Sequence, residues 1–374
     1  MLIDLIKLRQ HLHQNPELSN QEENTAKYIE RTILQLHPDQ TLKLGKYSRA
    51  FIFDSGKSGP CIAYRAELDA LPIEERSQNV HHSQNKGVSH VCGHDGHMSI
   101  LVGLAEKLSQ NRPKMGKVIL VFQSAEETGD GAKDLMSNKD FTALKIDYIF
   151  ALHNIPGLEL GAVAIKNGSF AAASKGMILK LKGKTSHAAE PEKGINPALA
   201  IAEITRQLNH LIQNKSIFTD VSILTFIYTR MGERAFGTSA GKAEMGFTLR
   251  AFENNDMELL CQKSFEIIAQ IAQENKLEYE ISFAEEFPAT ICEDSAFEKI
   301  QQAAKNLNYP LINLKEPMRW SEDFGHYHHG IKTGFFGIGS GINQAQLHHP
   351  DFDFPDELIE KGASIFFEIL QSFY

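Results

Sequence analysis

The sequence predicts an α/β protein in which helices flank a mostly parallel central sheet and a second domain is inserted into the chain. Two observations carry this prediction. Residues 117–123 (KVILVFQ) form a nearly continuous apolar run, which is typical of a buried parallel strand, within alternating strand and helix patterns from 61 to 152. From about residue 176 the order changes to strand, helix, two strands, helix and strand, which indicates a separate unit.

The main domain is predicted to be discontinuous, with parts at 1–175 and 290–374. Two helices open it, over 3–14 and 20–36, and Pro16 ends the first of them. Its remaining predicted elements are strands over 61–69, 117–123, 147–152 and 332–338 and helices over 97–110, 131–138, 295–307 and 355–373.

The inserted domain is predicted to cover 176–289. Its predicted strands lie at 176–184, 221–230, 242–251 and 277–287, and its predicted helices lie at 197–212 and 255–276. This β-α-β-β-α-β order is that of a ferredoxin-like fold.

Composition excludes several classes of protein. The 374 residues carry 38 Lys and Arg against 47 Asp and Glu, and the net charge of −9 disfavours binding to nucleic acid. Apolar runs are too short for a membrane-spanning helix, so we expect no membrane partner, and the N-terminal pattern is that of an amphipathic helix rather than a signal peptide. The four cysteines form no CxxC pair, which favours a reducing, cytoplasmic location.

Side chains that can bind metal ions follow three predicted strands of the main domain. Asp69 ends the strand 61–69, Glu126 and Glu127 follow the strand 117–123, and His153 follows the strand 147–152. In open parallel sheets, ligands bind beyond the carboxyl ends of the strands. We therefore expect these side chains to meet at one edge of the sheet.

The segment 90–97 (HVCGHDGH) adds a thiol and imidazoles in a loop before the predicted helix 97–110. A glycine turn between Cys92 and His94 can aim both side chains at one metal ion. The adjacent carboxylates of Glu126 and Glu127 repel each other unless a cation or a shared proton relieves them. One of them can then bind metal while the other acts as a general base.

Simpler explanations exist for each signal taken alone. Cys92 can be a buried free thiol, the acidic pair a solvated turn, and His153 a core histidine. His187, within 183–189 (GKTSHAA), and His348, in the loop after a glycine-rich stretch, can be ordinary loop residues. Chance alone explains poorly why so many metal-binding side chains fall at matching strand ends.

Eight segments of the chain together carry a family resemblance. They are LRQHLHQNPELS (8–19), YRAELDALPIEE (64–75), HVCGHDGHM (90–98), VFQSAEETGDGAKDL (121–135), ALHNIPG (151–157), GKTSHAAEP (183–191), SEDFGHY (321–327) and LHHPDF (347–352). In this order they resemble the peptidase M20 family of metal-dependent hydrolases, in particular its amidohydrolase branch of N-acyl-amino-acid amidohydrolases, hippurate hydrolases and auxin-conjugate hydrolases.

The resemblance implies two divalent metal ions in each chain, with Mn²⁺ or Zn²⁺ favoured over Co²⁺ or Ni²⁺. Cys92 would bridge the ions, Glu127 and His348 would complete one site, and His94 and His153 the other. The remaining implied roles are those of a general base for Glu126, an orienting group for Asp69, an oxyanion donor and substrate contact for His187, and a substrate contact for Glu322. The inserted domain would act as a lid and could join two copies into a homodimer.

The implied reaction is hydrolysis of the amide bond of an N-acyl amino acid, such as an acetyl or benzoyl derivative, by a water molecule that two metal ions activate. Two departures concern the substrate: Glu67 stands where the family usually has Asp, and 236–241 (FGTSAG) replaces an Asn-Val-Ile-Pro segment. Two alternatives stay open. One is a dipeptidase or aminopeptidase of the same superfamily, and the other is a non-catalytic metal-binding homologue.

Overall fold

A computed structural model describes residues 3–77 and 79–374, and within them the chain divides into two compact units. The first unit comprises 3–77, 79–170, 290–317 and 322–374, and the second comprises 171–289 and 318–321. The second unit thus begins five residues before the predicted boundary at 176, because its first strand begins at Ala173. It also takes up the short segment 318–321, which the sequence patterns do not indicate.

The predicted helices and strands of the first unit lie close to their predicted positions, and the unit also contains elements that were not predicted. Its helices are α1 (Leu5–Gln14), α2 (Glu23–Leu34), α3 (His94–Gln110), α4 (Gly131–Ser137), α5 (Lys139–Thr142), α8 (Asp294–Asn306) and α9 (Glu357–Gln371). Its strands are β1 (Gln40–Leu44), β2 (Ser48–Asp54), β3 (Cys61–Glu67), β4 (Lys117–Gln123), β5 (Tyr148–Ile155), β6 (Val163–Ile165), β7 (Gly168–Ala171, whose last residue belongs to the second unit), β14 (Thr290–Cys292), β15 (Leu311–Asn313) and β16 (Lys332–Gly339). The elements that were not predicted are α5, β1, β2, β6, β7, β14 and β15.

The central sheet of the first unit has eight strands in the order β1-β2-β4-β3-β5-β16-β6-β15. The middle strands β4, β3, β5 and β16 pair in parallel, whereas β2 pairs antiparallel with both β1 and β4. This confirms the predicted α/β class with a mostly parallel sheet. The β1–β2 hairpin was not predicted.

Burial in the core of the first unit explains why the sequences of the middle strands are apolar runs. Every residue of β3 is buried, and β4 is buried from Val118 to Gln123. Helix α3 packs on this sheet and against α1 and α9, and its apolar residues join the same core. Burial on both faces removes the alternation that an exposed sheet face would produce.

The second unit is a four-stranded antiparallel sheet covered by two helices. The four strands of this sheet are β8 (Ala173–Lys182), β10 (Ser222–Met231), β12 (Lys242–Ala251) and β13 (Glu278–Phe287), and the helices are α6 (Ala198–Gln213) and α7 (Asn254–Glu274). Two further short strands are β9 (Ser186–His187) and β11 (Thr238–Ser239). The order β10-β12-β8-β13 is that of the predicted ferredoxin-like unit. Strands β9 and β11 form a small separate pair.

Three differences from the predicted element bounds affect the site. Helix α3 begins at His94 instead of residue 97, so His94 lies in its first turn and not in a loop. Strand β5 continues to Ile155, so His153 lies within the strand instead of after its end. Asp69 lies two residues beyond the end of β3.

Within residues 3–77 and 79–374, no helix combines the length and apolarity needed to cross a membrane.

Candidate metal centre

Cys92 and His94 are set by a left-handed glycine at the start of α3. Gly93 has φ +99°, a conformation that strains other residues, and a Cβ at this position would meet the side chain of Asn154. The turn leaves Cys92 and His94 both buried. Sγ of Cys92 lies 3.4 Å from Nε2 of His153.

The histidines present their Nε2 atoms to the site because their other ring nitrogens are held elsewhere. Nδ1 of His94 donates to the backbone oxygen of Asp69 at 2.9 Å, and Nδ1 of His153 donates to the backbone oxygen of Asn154 at 2.9 Å. Such bonds fix the ring orientation of metal ligands. Within the described residues, Nε2 of His94 is buried without a hydrogen-bond partner.

Glu127 faces the imidazole rings of His94 and His348. Its Oε1 lies 3.8 Å from Nε2 of His94 and 3.7 Å from Nε2 of His348, and it too is buried without a hydrogen-bond partner among the described residues. His348 is half exposed, and its backbone N–H donates to the oxygen of Val91 at 2.9 Å, which ties its loop to the cysteine segment.

These side chains form two groups that share Cys92 and that could each hold a metal ion. One group is Cys92, His94 and His153, and the other is Cys92, Glu127 and His348. This grouping is the same as that implied by the family resemblance. Asp69 lies beside both groups, because its Oδ1 is 3.5 Å from Nδ1 of His94 and its Oδ2 accepts the backbone N–H of Glu127 at 3.0 Å.

The electrostatics of the site call for a cation. Burial raises the pKa of Cys92 well above its usual range, and the nearby carboxylates of Glu127, Glu126 and Glu322 raise it further. Burial and the charge of Glu322 raise the pKa of Glu126 strongly. A site with these buried acidic groups and with unpartnered ligand atoms fits divalent metal ions, which stabilise thiolate and carboxylate forms.

A carboxylate oxygen of Glu126 lies within 4.8 Å of ligand atoms of His94 and Glu127, but Glu126 is held from a different side. The backbone N–H of Asp323 donates to its Oε1 at 3.2 Å. Glu322 is also buried, with Oε1 3.8 Å from Nε2 of His153 and Oε2 3.2 Å from Nη1 of Arg65. The carboxyl group of Glu322 thus lies against an arginine and a ring of the metal centre.

His187 is the one candidate residue in the second unit. It lies in β9, paired with Thr238, and its side chain is exposed. Its Nδ1 accepts the backbone N–H of Ala189 at 3.0 Å. This bond leaves the proton of the neutral ring on Nε2, where it can be donated.

The sequence reasoning missed a buried polar network around Arg65. Its guanidinium donates to Glu67, to Gln123 at 3.0 Å and to Asp323 at 2.7 Å. Glu67 in turn accepts from Nδ1 of His97 at 2.8 Å. One signal was available, because an arginine in the middle of the apolar run of β3 must find buried acidic partners.

Comparison with known proteins decides the family. The model of peptidase family M20/M25/M40 matches residues 63–372. The chain belongs to this family. The sequence-based prediction of a family M20 hydrolase is thereby confirmed.

Relatives of this M20 chain extend over nearly its whole length. It is 31% identical to an N-acetyl-L-cysteine deacetylase of Bacillus subtilis, over 97% of this chain and 86% of the relative. It is 30% identical to an IAA-amino acid hydrolase (ILR1-like 4) of Arabidopsis thaliana, over 96% and 83% respectively. A solved Bacillus subtilis structure, described as a dinuclear metal binding peptidase from the M20 family, superposes with a TM-score of 0.84 at 27% identity, over 98% of this chain and 96% of that one.

Proposed function

We propose that this chain is a metal-dependent amidohydrolase that cleaves the amide bond of N-acyl amino acids into a carboxylate and a free amino acid. The observation that carries the proposal is the convergence of Cys92, His94, Glu127, His153 and His348 beside a buried carboxyl group, that of Glu126. The two relatives, an N-acetyl-L-cysteine deacetylase and an IAA-amino acid hydrolase, support the same bond type.

Two divalent ions fit the ligand groups, one held by Cys92, His94 and His153 and one by Cys92, Glu127 and His348. We propose Mn²⁺ or Zn²⁺, because a mixed set of sulfur, nitrogen and oxygen ligands accepts either, as it accepts Co²⁺ or Ni²⁺. When bound, the ions polarise the amide carbonyl and lower the pKa of the attacking water.

Glu126 is proposed as the general base. Its carboxylate takes the proton of the attacking water and later delivers it to the nitrogen of the leaving amine. Burial raises the pKa of Glu126, and the charges of Glu322 and Glu127 raise it further. The N–H of Asp323 fixes its Oε1. Asp69 orients the ring of His94 through its backbone oxygen and the backbone of Glu127 through its carboxylate.

His187 and Glu322 are proposed as substrate contacts. The Nε2–H of His187 is a donor suited to a developing oxyanion. Glu322 carries a buried carboxyl group whose pKa burial and neighbouring acids raise to about 8, so its protonated form can donate a hydrogen bond to a substrate oxygen.

The homodimer and the cytoplasmic location are also proposals. Strand β10 is an edge strand of its sheet and exposes Phe226, Ile227 and Met231, which suits pairing with a second copy. All four cysteines are unpaired and buried, and a thiolate ligand at Cys92 is best preserved in a reducing compartment.

The test of the activity uses purified protein that is stripped of metal and reloaded with Mn²⁺ or Zn²⁺. N-acetyl and N-benzoyl amino acids are offered beside free dipeptides, and released amino acid is measured. We expect metal-dependent release from the acylated substrates and its loss in Glu126→Gln, with the metal content unchanged by mass spectrometry. Cleavage of dipeptides alone would favour a peptidase, and full activity of Glu126→Gln would refute the role of the base.

A further inference from the structure

Glu22 is a fully buried carboxyl group that does not serve its own helix. It occupies the position before α2, yet its side chain makes no capping hydrogen bond there. That task falls to Glu17, whose Oε2 accepts the backbone N–H and the hydroxyl of Thr25 at 2.8 and 2.9 Å. A buried carboxyl group is costly, so its contact elsewhere needs a reason.

The contact is with the turn that carries the proposed general base. Oε1 of Glu22 accepts the backbone N–H of Ala125 at 2.7 Å. Ala125 has φ +55°, in the left-handed region that an alanine rarely adopts, and its side chain is buried. Its backbone oxygen is held as well, by the N–H of Gly131 at 2.9 Å.

Two buried carboxyl groups therefore hold the backbone on either side of Glu126. Glu22 accepts the N–H of Ala125, and Asp69 accepts the N–H of Glu127. A left-handed residue reverses the local direction of the chain, so it determines where the two following side chains point. A turn in which Ala125 relaxed to an ordinary conformation would aim Glu126 and Glu127 differently.

We propose that Glu22 is a positioning residue for amide hydrolysis: its carboxyl oxygen holds Ala125 in the left-handed conformation that directs Glu126 and Glu127 into the metal centre. This inference rests on the proposed function for its catalytic consequence. The proposed role of Glu22 depends on its hydrogen-bond acceptor atom rather than on its charge. Burial and the nearby charge of Asp69 raise the pKa of Glu22 to about 7, so a neutral acceptor of the same shape can take its place.

The experiment separates the acceptor from the charge and from packing. Glu22→Gln removes the charge and keeps an oxygen within reach, whereas Glu22→Met keeps the length and volume and removes the acceptor. Glu22→Asp keeps the charge, but its side chain is one methylene shorter, which moves the oxygen away from Ala125. This variant replaces Glu22→Met if the methionine variant does not fold. Glu17→Gln is the matched control, since Glu17 lies five residues earlier and contacts α2 instead of the turn.

Hydrogen exchange on the metal-free protein is the readout that does not depend on activity. We expect the amides of 124–131 to exchange about tenfold faster or more in Glu22→Met or Glu22→Asp, and at the wild-type rate in Glu22→Gln and Glu17→Gln. Unchanged exchange in the methionine and aspartate variants would overturn the proposal. So would equal acceleration in Glu22→Gln, because the charge would then matter instead of the acceptor.

Kinetics on the metal-loaded enzyme test the catalytic consequence. We expect kcat to fall on the order of 10- to 100-fold in Glu22→Met with little change in KM, because misdirection of a reacting group mainly affects the chemical step. Adding Ala125→Gly should restore part of kcat, since glycine adopts the left-handed conformation without help. Failure of the wild type to hydrolyse any substrate would refute the proposed function, while the exchange comparison would still decide the role of Glu22.

Discussion

The backbone N–H of Asp323 donates to Oε1 of Glu126 at 3.2 Å, while the carboxylate of Asp323 is held by three other groups. It accepts from Nε2 of Gln123 at 2.7 Å, from the N–H of Ala132 at 2.8 Å and from Nη2 of Arg65 at 2.7 Å. The SEDF segment thus fixes the proposed base through a backbone group.

Replacing Asp323 with alanine should therefore reduce both stability and turnover. The loss leaves the buried guanidinium of Arg65 with one fewer acidic partner, and breaking such a pair costs about 3–5 kcal/mol. Urea unfolding of the metal-free protein measures this cost, and kcat measures the consequence for Glu126. The control is Glu278→Gln, whose exposed pair with Lys182 contributes little. Equal stability of the two variants would contradict the assigned network.

The sequence indicates the candidate metal-binding side chains because they fall at strand ends and in one compact motif. Glu126 and Glu127 follow β4 as expected, whereas Asp69 lies two residues beyond the end of β3 instead of at its end. Parallel pairing of β3 with β4 places all three at one edge of the sheet. The bounds of α3 and β5 were less accurate. Periodicity does not reveal that a helix begins within a histidine-rich segment, and His153 does not interrupt a strand that is buried on both sides.

The contacts of Glu22 and Arg65 were beyond the sequence for a different reason. Glu22 stands in a polar stretch, NQEEN, where a charged residue normally faces solvent. Only the structure shows that Glu22 is buried and bonded to the turn at Ala125. Hairpin β1–β2 was missed because its first strand is short and half exposed, with no clear alternation.

Replacing Glu67 with aspartate tests whether the longer glutamate side chain is matched to its surroundings. One oxygen accepts from Arg65 and the other from Nδ1 of His97, so both ends of the carboxylate are engaged in a buried site. Glu67→Asp should lose one of these bonds and about 1–3 kcal/mol of stability, because a shorter side chain cannot reach both partners. Thermal unfolding of the metal-free variant measures this. Unchanged stability would show that the site adapts to either acid.

His13 should make stability fall at alkaline pH. Burial alone would lower its pKa, but the charge of Asp95 and hydrogen bonds with Asp95 and Glu75 raise it to about 10. The protonated ring therefore contributes its full stabilisation below its unfolded pKa of about 6.5 and loses it as the pH rises through about 10. Within this window the free energy of unfolding should fall by at most about 1.4 kcal/mol per pH unit.

The surroundings of His13 define the control for this effect. Asp95, which also accepts a hydrogen bond from Arg9, contacts the ring of His13. The rings of His81 and His90 lie beside it, and burial lowers the pKa of His90 to about 3. His90 is therefore neutral in the relevant range. Urea unfolding of metal-free wild type and His13→Gln should be compared from pH about 6.5 to about 10. Parallel curves for the two proteins would refute the assignment to His13.

His187 should affect turnover without affecting folding. Its side chain is exposed, and only its Nδ1 takes part in the hydrogen bond with Ala189. His187→Ala therefore removes the Nε2–H donor at little structural cost. Loss of an oxyanion donor lowers kcat by about 10²–10³. Steady-state kinetics measure this, with His210→Ala in α6 as the matched control. A normal kcat in His187→Ala would exclude the oxyanion role, whatever happens to KM.

The proposed homodimer depends on the open edge at β10. Ile227 is 56% exposed and lies at the irregularity between Phe226 and Tyr228, where β10 shifts register against β12. A lysine at an edge strand opposes pairing with another chain, so Ile227→Lys should convert a dimer into a monomer. Ile342→Lys, at another exposed apolar residue in the first unit, should leave the mass unchanged. Light scattering after size exclusion gives the mass of each, and a dimeric Ile227→Lys variant would place the interface elsewhere.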